Sequence, residues 1–175
     1  MSESGALIKE IEDDSVWLQY LTFHLDSDIL GVELKEIKEV LEVKELTILP
    51  RTPDYMRGVT NLRGQLIPVI DLKSKFGMGL TEFTIDTCVI IVEITVNDEI
   101  MSVGALVDSV RGVVEFTQSA IDPAPKMGSS IDVRFILGMG KHDNEFFSIL
   151  DIPALFTIEE LSAGEAMGPV SSQIN

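Results

Sequence analysis

The chain has 175 residues, 45% hydrophobic and 24% charged, an ordinary globular composition with enough apolar material for one domain or two small ones sharing a core. Its formal net charge of −16 argues against nucleic acid and anionic membrane as partners. The single cysteine, Cys88, excludes an intrachain disulfide and fits a reducing compartment, and with only two histidines, His24 and His142, it does not supply a zinc site.

Residues 1–15 carry five acids and one lysine and read as a flexible acidic tail without a signal-peptide pattern. The first strand begins near Trp17, where Leu21, Phe23 and Leu25 alternate with Tyr20, Thr22 and His24. Asp26-Ser27-Asp28 turns the chain into a second strand over 29–34. Residues 35–43 read two ways: Ile37, Val40 and Leu41 fit a helical face, whereas 40–43 fits the start of a strand. Thr52 as a cap, Pro53 at the first helical position and Asp54 at the positive end predict a short helix stopped by Gly58. Strands follow at 59–62 and 65–72, joined by an Arg63-Gly64 turn. Pro68 cannot donate to a ladder, which places its strand at a sheet edge or at a bulge.

Phe76-Gly77-Met78-Gly79 closes this first unit. A second opens with a strand at 88–96, where Cys88 reads as a small core residue, then a turn at Asn97-Asp98 and a strand at 100–107. Another strand covers 110–116, a proline-bearing connection runs from Asp122 to Ser130, and a hairpin pairs 133–137 with 145–150. A helical turn at 152–156 precedes a second flexible tail over 161–175. Many short strands with frequent turns indicate small barrels rather than a βαβ sheet, and no uncharged run has the length to cross a membrane.

The two units repeat one another. Residues 58–76 return as 138–156 at a spacing of eighty, setting Gly58 on Gly138, Asp71 on Asp151 and Phe76 on Phe156. Residues 36–40 return as 106–110 at a spacing of seventy. A lone unit of this size buries too little surface to be stable, so the halves are expected to pack on a shared apolar interface.

Catalytic chemistry finds no support. Neither histidine has a nucleophile beside it in the pattern, and Gly138-Met139-Gly140-Lys141 lacks the span and ending of a phosphate loop. Glu12-Asp13-Asp14 lacks the glycine and terminal glutamate of a calcium loop. Asp71 and Asp151 stand before helical turns, where a carboxylate caps backbone N–H groups. Arg51, Arg57, Arg63, Lys73 and Lys75 form a basic island facing only Asp54 and Asp71, readable as a docking surface or as chance clustering. No catalytic, metal or cofactor residue is assigned.

Gly58-Val59-Thr60-Asn61-Leu62-Arg63-Gly64, followed by Pro68-Val69-Ile70-Asp71-Leu72, strongly resembles the CheW family of bacterial chemotaxis coupling proteins. Leu30-Gly31-Val32, Ile48-Leu49-Pro50, residues 103–108 and the prolines at 123 and 125 match in order and spacing, so that the likeness covers about 17–160. It implies a mainly β fold of two intertwined five-stranded SH3-like barrels with a few short helices. The barrels are expected at about 16–80 and 81–160, within a domain of 16–160 whose first strand is open to sharing.

The resemblance also implies a non-enzymatic, cofactor-free adaptor, monomeric alone and without membrane insertion. Such an adaptor is cytoplasmic and recruited to polar receptor arrays, where it couples chemoreceptor tips to the histidine kinase CheA. Ile37, Glu39, Gly58, Asn61 and Arg63 match or border positions used for partner contact. Val89, Gly104 and Val113 match positions near the groove between barrels. Arg63 can grip a partner carboxylate or close its own turn, Gly58 is expected to need positive φ, and Ile37 and Val113 are either an exposed strip or core. Two alternatives stay open: a CheW-like module of a non-flagellar pathway, and a sensor of a small, purine-type ligand.

Overall fold

The computed structural model describes residues 16–43, 46–123 and 131–156; both expected tails and most of the proline-bearing connection lie outside them. Its strands are β1 (Trp17–Leu25), β2 (Asp28–Glu33), β3 (Ile37–Glu42), β4 (Met56–Leu62), β5 (Gln65–Asp71), β6 (Cys88–Val96), β7 (Glu99–Val107), β8 (Ser109–Thr117), β9 (Ile136–His142) and β10 (Glu145–Leu150). Two single-turn helices, α1 (Leu72–Lys75) and α2 (Ile152–Leu155), follow β5 and β10.

The strands form two curled five-stranded sheets. One, built from both ends of the chain, has the order β8-β1-β2-β10-β9 and is termed the terminal sheet. The other, from the middle, has the order β3-β6-β7-β5-β4 and is termed the central sheet. The two orders become one when β1 and β2 are replaced by β6 and β7, and β8, β9 and β10 by β3, β4 and β5. Each sheet therefore takes the first two strands of one repeat and the last three of the other. The boundary expected near residue 80 separates the repeats but not the sheets, because the strands are exchanged between copies.

Register fixes the repeat residue by residue. Gly58 pairs with Val69 as Gly138 pairs with Ile149, in agreement with the spacing of eighty. Val69 and Ile149 in turn lie beside Gly104 and Gly31, which are therefore equivalent. Gly104 and Gly31 pair with Ile91 and Thr22, and these with Glu39 and Gly112. The spacing of seventy is thus corrected to 73: Ile37 answers Val110 and Val40 answers Val113. Both ladders carry a bulge there, at Lys38 and at Arg111, the sort of irregularity that re-aims a side chain.

Strands β1, β5, β6 and β7 are covered on both faces over much of their length and read as continuous apolar runs, whereas edge strand β3 keeps a clean alternation. In β6, Ile90, Val92 and Ile94 face a large core between the sheets, shared with Leu21, Phe23, Leu30 and Leu150. Val89 and Ile91 face the interior of the central sheet with Ile67, Val69 and Leu106. The terminal sheet encloses Tyr20, Phe116, Phe147 and Ile149, with Tyr20 stacked on Phe116 at 4.9 Å between centroids. A polar clasp joins the sheets at their rim: Lys73 Nζ lies 2.6 Å from Asp26 Oδ1 and 3.5 Å from Asp108 Oδ2.

Three local expectations change. Residues 35–43 become a 3₁₀ turn over Leu34–Glu36 followed by strand β3. The helix expected at 52–57 is a single turn, with Met56 N–H donating to Pro53, because Met56 is claimed by pairing with Ile70. Pro68 lies on an internal strand, not an edge. Its partner Val59 turns its backbone groups to Thr47, and β7 joins β5 only from Val69 onward, so no ladder bond needs the missing N–H.

Candidate functional site: a partner-binding edge

The central sheet is closed by its own sequence. β3 and β4 are its two edges, and Thr47, in the segment leading from one to the other, exchanges backbone hydrogen bonds with Val59 at 3.1 and 2.8 Å. Gly58 makes this possible. It has φ +152°, and a Cβ there would collide with the Thr47 carbonyl oxygen. The expected positive φ is present, but at a strand bulge rather than a helix stop. The repeat does the same at Gly138, where a Cβ would meet the Asp122 carbonyl oxygen at 2.7 Å and Asp122 pairs with Met139.

Arg63 completes the closure on the outside. Its Nη2 stands 3.0 Å from Glu39 Oε2 and bridges edge strand β3 to the β4–β5 turn, with the Arg63 side chain 69% exposed. Asn61 Oδ1 accepts the Gly64 N–H at 2.9 Å and supports the turn. Arg63 and Gly64 have φ +52° and +85°, the two-residue type I′ pattern, which favours Asn, Asp and Gly. The equivalent β9–β10 hairpin obeys that preference with Asp143-Asn144, and the β6–β7 hairpin does so with Asn97-Asp98. Arginine is the departure. A long cation held in a left-handed position where asparagine fits better is the kind of local misfit that functional residues show.

The terminal sheet carries the same cross-seam device with the charges reversed. Arg111, in the β8 bulge, donates to both carboxylate oxygens of Glu145 at 2.6 and 2.7 Å. That bidentate grip holds the Glu145 carboxyl below its usual range. The two ends of the double sheet are therefore equivalent in fold and opposite in the charge shown at the hairpin tip, Arg63 on one and Asp143 on the other.

Seven of the eight residues singled out from sequence lie on the central sheet, at different depths. Glu39, Asn61 and Arg63 form the accessible edge. Ile37 is half-buried and packs against the core between the sheets, so it is not part of an exposed strip. Val89 and Gly104 line the interior of the central sheet instead of the groove between barrels. A Cβ on Gly104 would lie 2.6 Å from Val89 Cγ1, so the two positions act on one another. Val113 alone is on the terminal sheet, 50% exposed on edge strand β8. Its counterpart Val40, 39% exposed beside Glu39, and Ile48, beyond Thr47, were not picked out by sequence. Only the repeat register, which the spacing of seventy obscured, could have flagged Val40.

The basic island does not form one surface. Arg57 Nη1 is 2.7 Å from Asp71 Oδ2 and its guanidinium lies 5.0 Å from the Phe83 ring. Asp71 is fully buried and also accepts from Thr81 N–H, Thr81 Oγ1 and Ser74 N–H; the last is the cap expected of it, made again by Asp151 to Ala154. Lys73 belongs to the clasp and Lys75 lies over Tyr55 and Phe156. Cys88 is half-buried, and burial pushes its thiol pKa up.

The family described as CheW, the CheW-like domain, matches residues 19–160. The chain belongs to the CheW family. It is 31% identical over 163 residues to the chemotaxis protein CheW of Thermotoga maritima, covering 91% of this chain and all of that one. To the CheW of Klebsiella aerogenes it is 29% identical over 157 residues, covering 90% and 92%. The crystal structure of the scaffolding protein TtCheW from Thermoanaerobacter tengcongensis superposes with a TM-score of 0.72 at 31% identity, over 83% of this chain and 91% of that one. The mainly β, double-sheet fold is thus that of a CheW chemotaxis protein. Among the described residues no helix of this CheW-family chain is long and apolar enough to cross a membrane.

Proposed function

We propose that this chain is a non-enzymatic chemotaxis adaptor that couples chemoreceptor tips to the histidine kinase CheA, and that the Glu39–Arg63 edge is a working contact. The supporting observation is Arg63 itself, an exposed guanidinium kept at positive φ in a hairpin whose β9–β10 equivalent uses Asp and Asn. Its fork is half engaged by Glu39 through one nitrogen, leaving donors for a partner carboxylate or carbonyl. Val40 and Ile48 supply apolar area on the same sheet. Gly58, Val89 and Gly104 act from beneath, by setting the backbone that carries the edge.

The mechanism is positional. Two surfaces on one rigid double sheet raise the effective concentration of each partner for the other, and repetition in a receptor array multiplies the gain. The site of action is the cytoplasmic face of that array, reached through partners and not by insertion.

Co-sedimentation of the full chain with receptor-containing membranes and CheA tests the proposal. Recruitment of the chain, and a receptor-dependent change in CheA autophosphorylation when it is added, are the expected results. A folded chain that joins neither partner would reduce the CheW likeness to fold and ancestry.

A further inference from the structure

The second repeat serves as an internal control for the first. At the spacing of eighty, Asp151 answers Asp71 and Leu137 answers Arg57. Asp151 caps Ala154, and an exposed leucine stands in the arginine's place. The Arg57–Asp71 pair is therefore not a requirement of the double sheet. An ion pair inside a fold is also weak evidence of stabilisation, since apolar side chains of similar volume serve as well.

What the pair holds is the connection from α1 to β6. Arg57 Nη1 donates to the Thr81 carbonyl at 2.8 Å, and the buried Asp71 carboxylate accepts the Thr81 N–H and hydroxyl, each at 2.8 Å. At the far end Thr87 is buried too. Its hydroxyl accepts the Thr84 N–H at 2.7 Å, and its carbonyl accepts the Val43 N–H at 3.3 Å. Between these anchors Glu82, Phe83, Thr84, Ile85 and Asp86 are all exposed and form an outward bow. Phe83 lies against the Arg57 guanidinium, and Ile85 is 92% exposed. A segment anchored at both ends loses little freedom when it binds. Covering Phe83 and Ile85 removes from water apolar area that the fold leaves outside.

Charge selects the occupant. Glu82 and Asp86 flank the two apolar side chains, and exposed Glu42 pairs in register with Cys88, two residues beyond Asp86. Arg57, the cation on the Phe83 ring, is engaged by Asp71 and Thr81. The acidic ends of the chain, and a second copy at net charge −16, carry the same sign as this surface. The complementary occupant is basic.

We propose that the Glu82–Asp86 bow is a further contact surface that takes a basic amphipathic helix of another protein. The helix sets apolar side chains on Phe83 and Ile85 and lysine or arginine on Glu82 and Asp86. The bow does not use the Glu39–Arg63 edge and stands independently of the adaptor reading.

The test titrates the full-length chain with a leucine–lysine amphipathic helical peptide at physiological ionic strength, followed by amide chemical shifts. Controls are a scrambled peptide of the same composition without an apolar face and a leucine–glutamate helix. The amphipathic basic peptide is expected to shift the resonances of 80–87 saturably, and both controls to leave them in place. Ile85→Ser should weaken binding about tenfold, the worth of one buried aliphatic side chain. Glu82→Gln combined with Asp86→Asn should weaken it about fivefold. Ile100→Ser, 68% exposed at the opposite end of the β6–β7 hairpin, should leave it unchanged. Absence of saturable shifts in 80–87, equal binding of the scrambled peptide, or equal effects of Ile85→Ser and Ile100→Ser would each overturn the proposal.

Discussion

Arg63 Nη2 lies 3.0 Å from Glu39 Oε2, although the two residues sit at opposite edges of the same five-stranded sheet. The contact exists because the sheet curls until its first and last strands meet, and it decorates a seam already closed by Thr47 and Val59. Exposed ion pairs contribute only about 0–1 kcal/mol to stability, so an outward arginine here is poorly explained by folding.

Replacing Arg63 with Asn should leave thermal stability unchanged or slightly raised. The ion pair is lost, but Asn tolerates positive φ better than Arg, and the two effects are each below about 1 kcal/mol. Urea unfolding of both proteins checks this. A loss of several kcal/mol would assign Arg63 to the fold.

Gly58→Ala should behave in the opposite way. Its positive φ and the Thr47 carbonyl leave no room for a methyl group, and relief requires backbone movement at the seam. A destabilisation of about 2 kcal/mol or more is expected, read as a lower denaturation midpoint. Gly138→Ala meets a similar carbonyl without a positive φ and should cost less. Any binding defect of Gly58 variants is then to be traced first to the altered edge.

Arg57→Met should destabilise strongly, by about 3 kcal/mol, because Asp71 is fully buried and would lose its ion-pair partner among the described residues. Calorimetry of the variant beside Arg63→Asn would separate a structural from a surface cation within the same stretch of sequence. Equal, small effects would mean that Asp71 is adequately held by Thr81 and Ser74.

Tyr20 gives stability a dependence on alkaline pH. Its phenol is raised from near 10 to about 12, so the folded state holds the proton more tightly than the unfolded chain. That contribution is fully present below about pH 10 and is lost as pH rises towards 12. Wild type should therefore lose stability faster than Tyr20→Phe between pH 9.5 and about 11.5. Parallel pH profiles would contradict the shift.

Much of this was legible before any coordinates. The strands, the hairpin turns and the Gly58/Gly138 correspondence follow from alternation, turn residues and repeat spacing. The exchange of strands between repeats was not legible, because a repeat states which segments are alike and not which copy each will pair with. The short helix at 52–57 failed because cross-strand pairing of Met56 with Ile70 outweighed local capping signals. Pro68 misled because a missing donor is harmless wherever the ladder on that side has not begun. Both copies carry their bulge at the same place, Lys38 and Arg111, so only the pairing register, and not the apolar pattern read at a spacing of seventy, shows that Val40 answers Val113. Of the site, Arg63 and Glu39 were readable from the resemblance; their meeting across the seam required the curl of the sheet.

The most direct measurement is the affinity of Arg63→Asn for CheA and for receptor-containing membranes, in a variant already known to unfold at the wild-type midpoint. A working edge predicts a loss of about tenfold or more for at least one partner, the scale of a charge-assisted hydrogen bond. Wild-type affinity for both partners would contradict it and leave Arg63 a turn residue with an unexplained preference for strain.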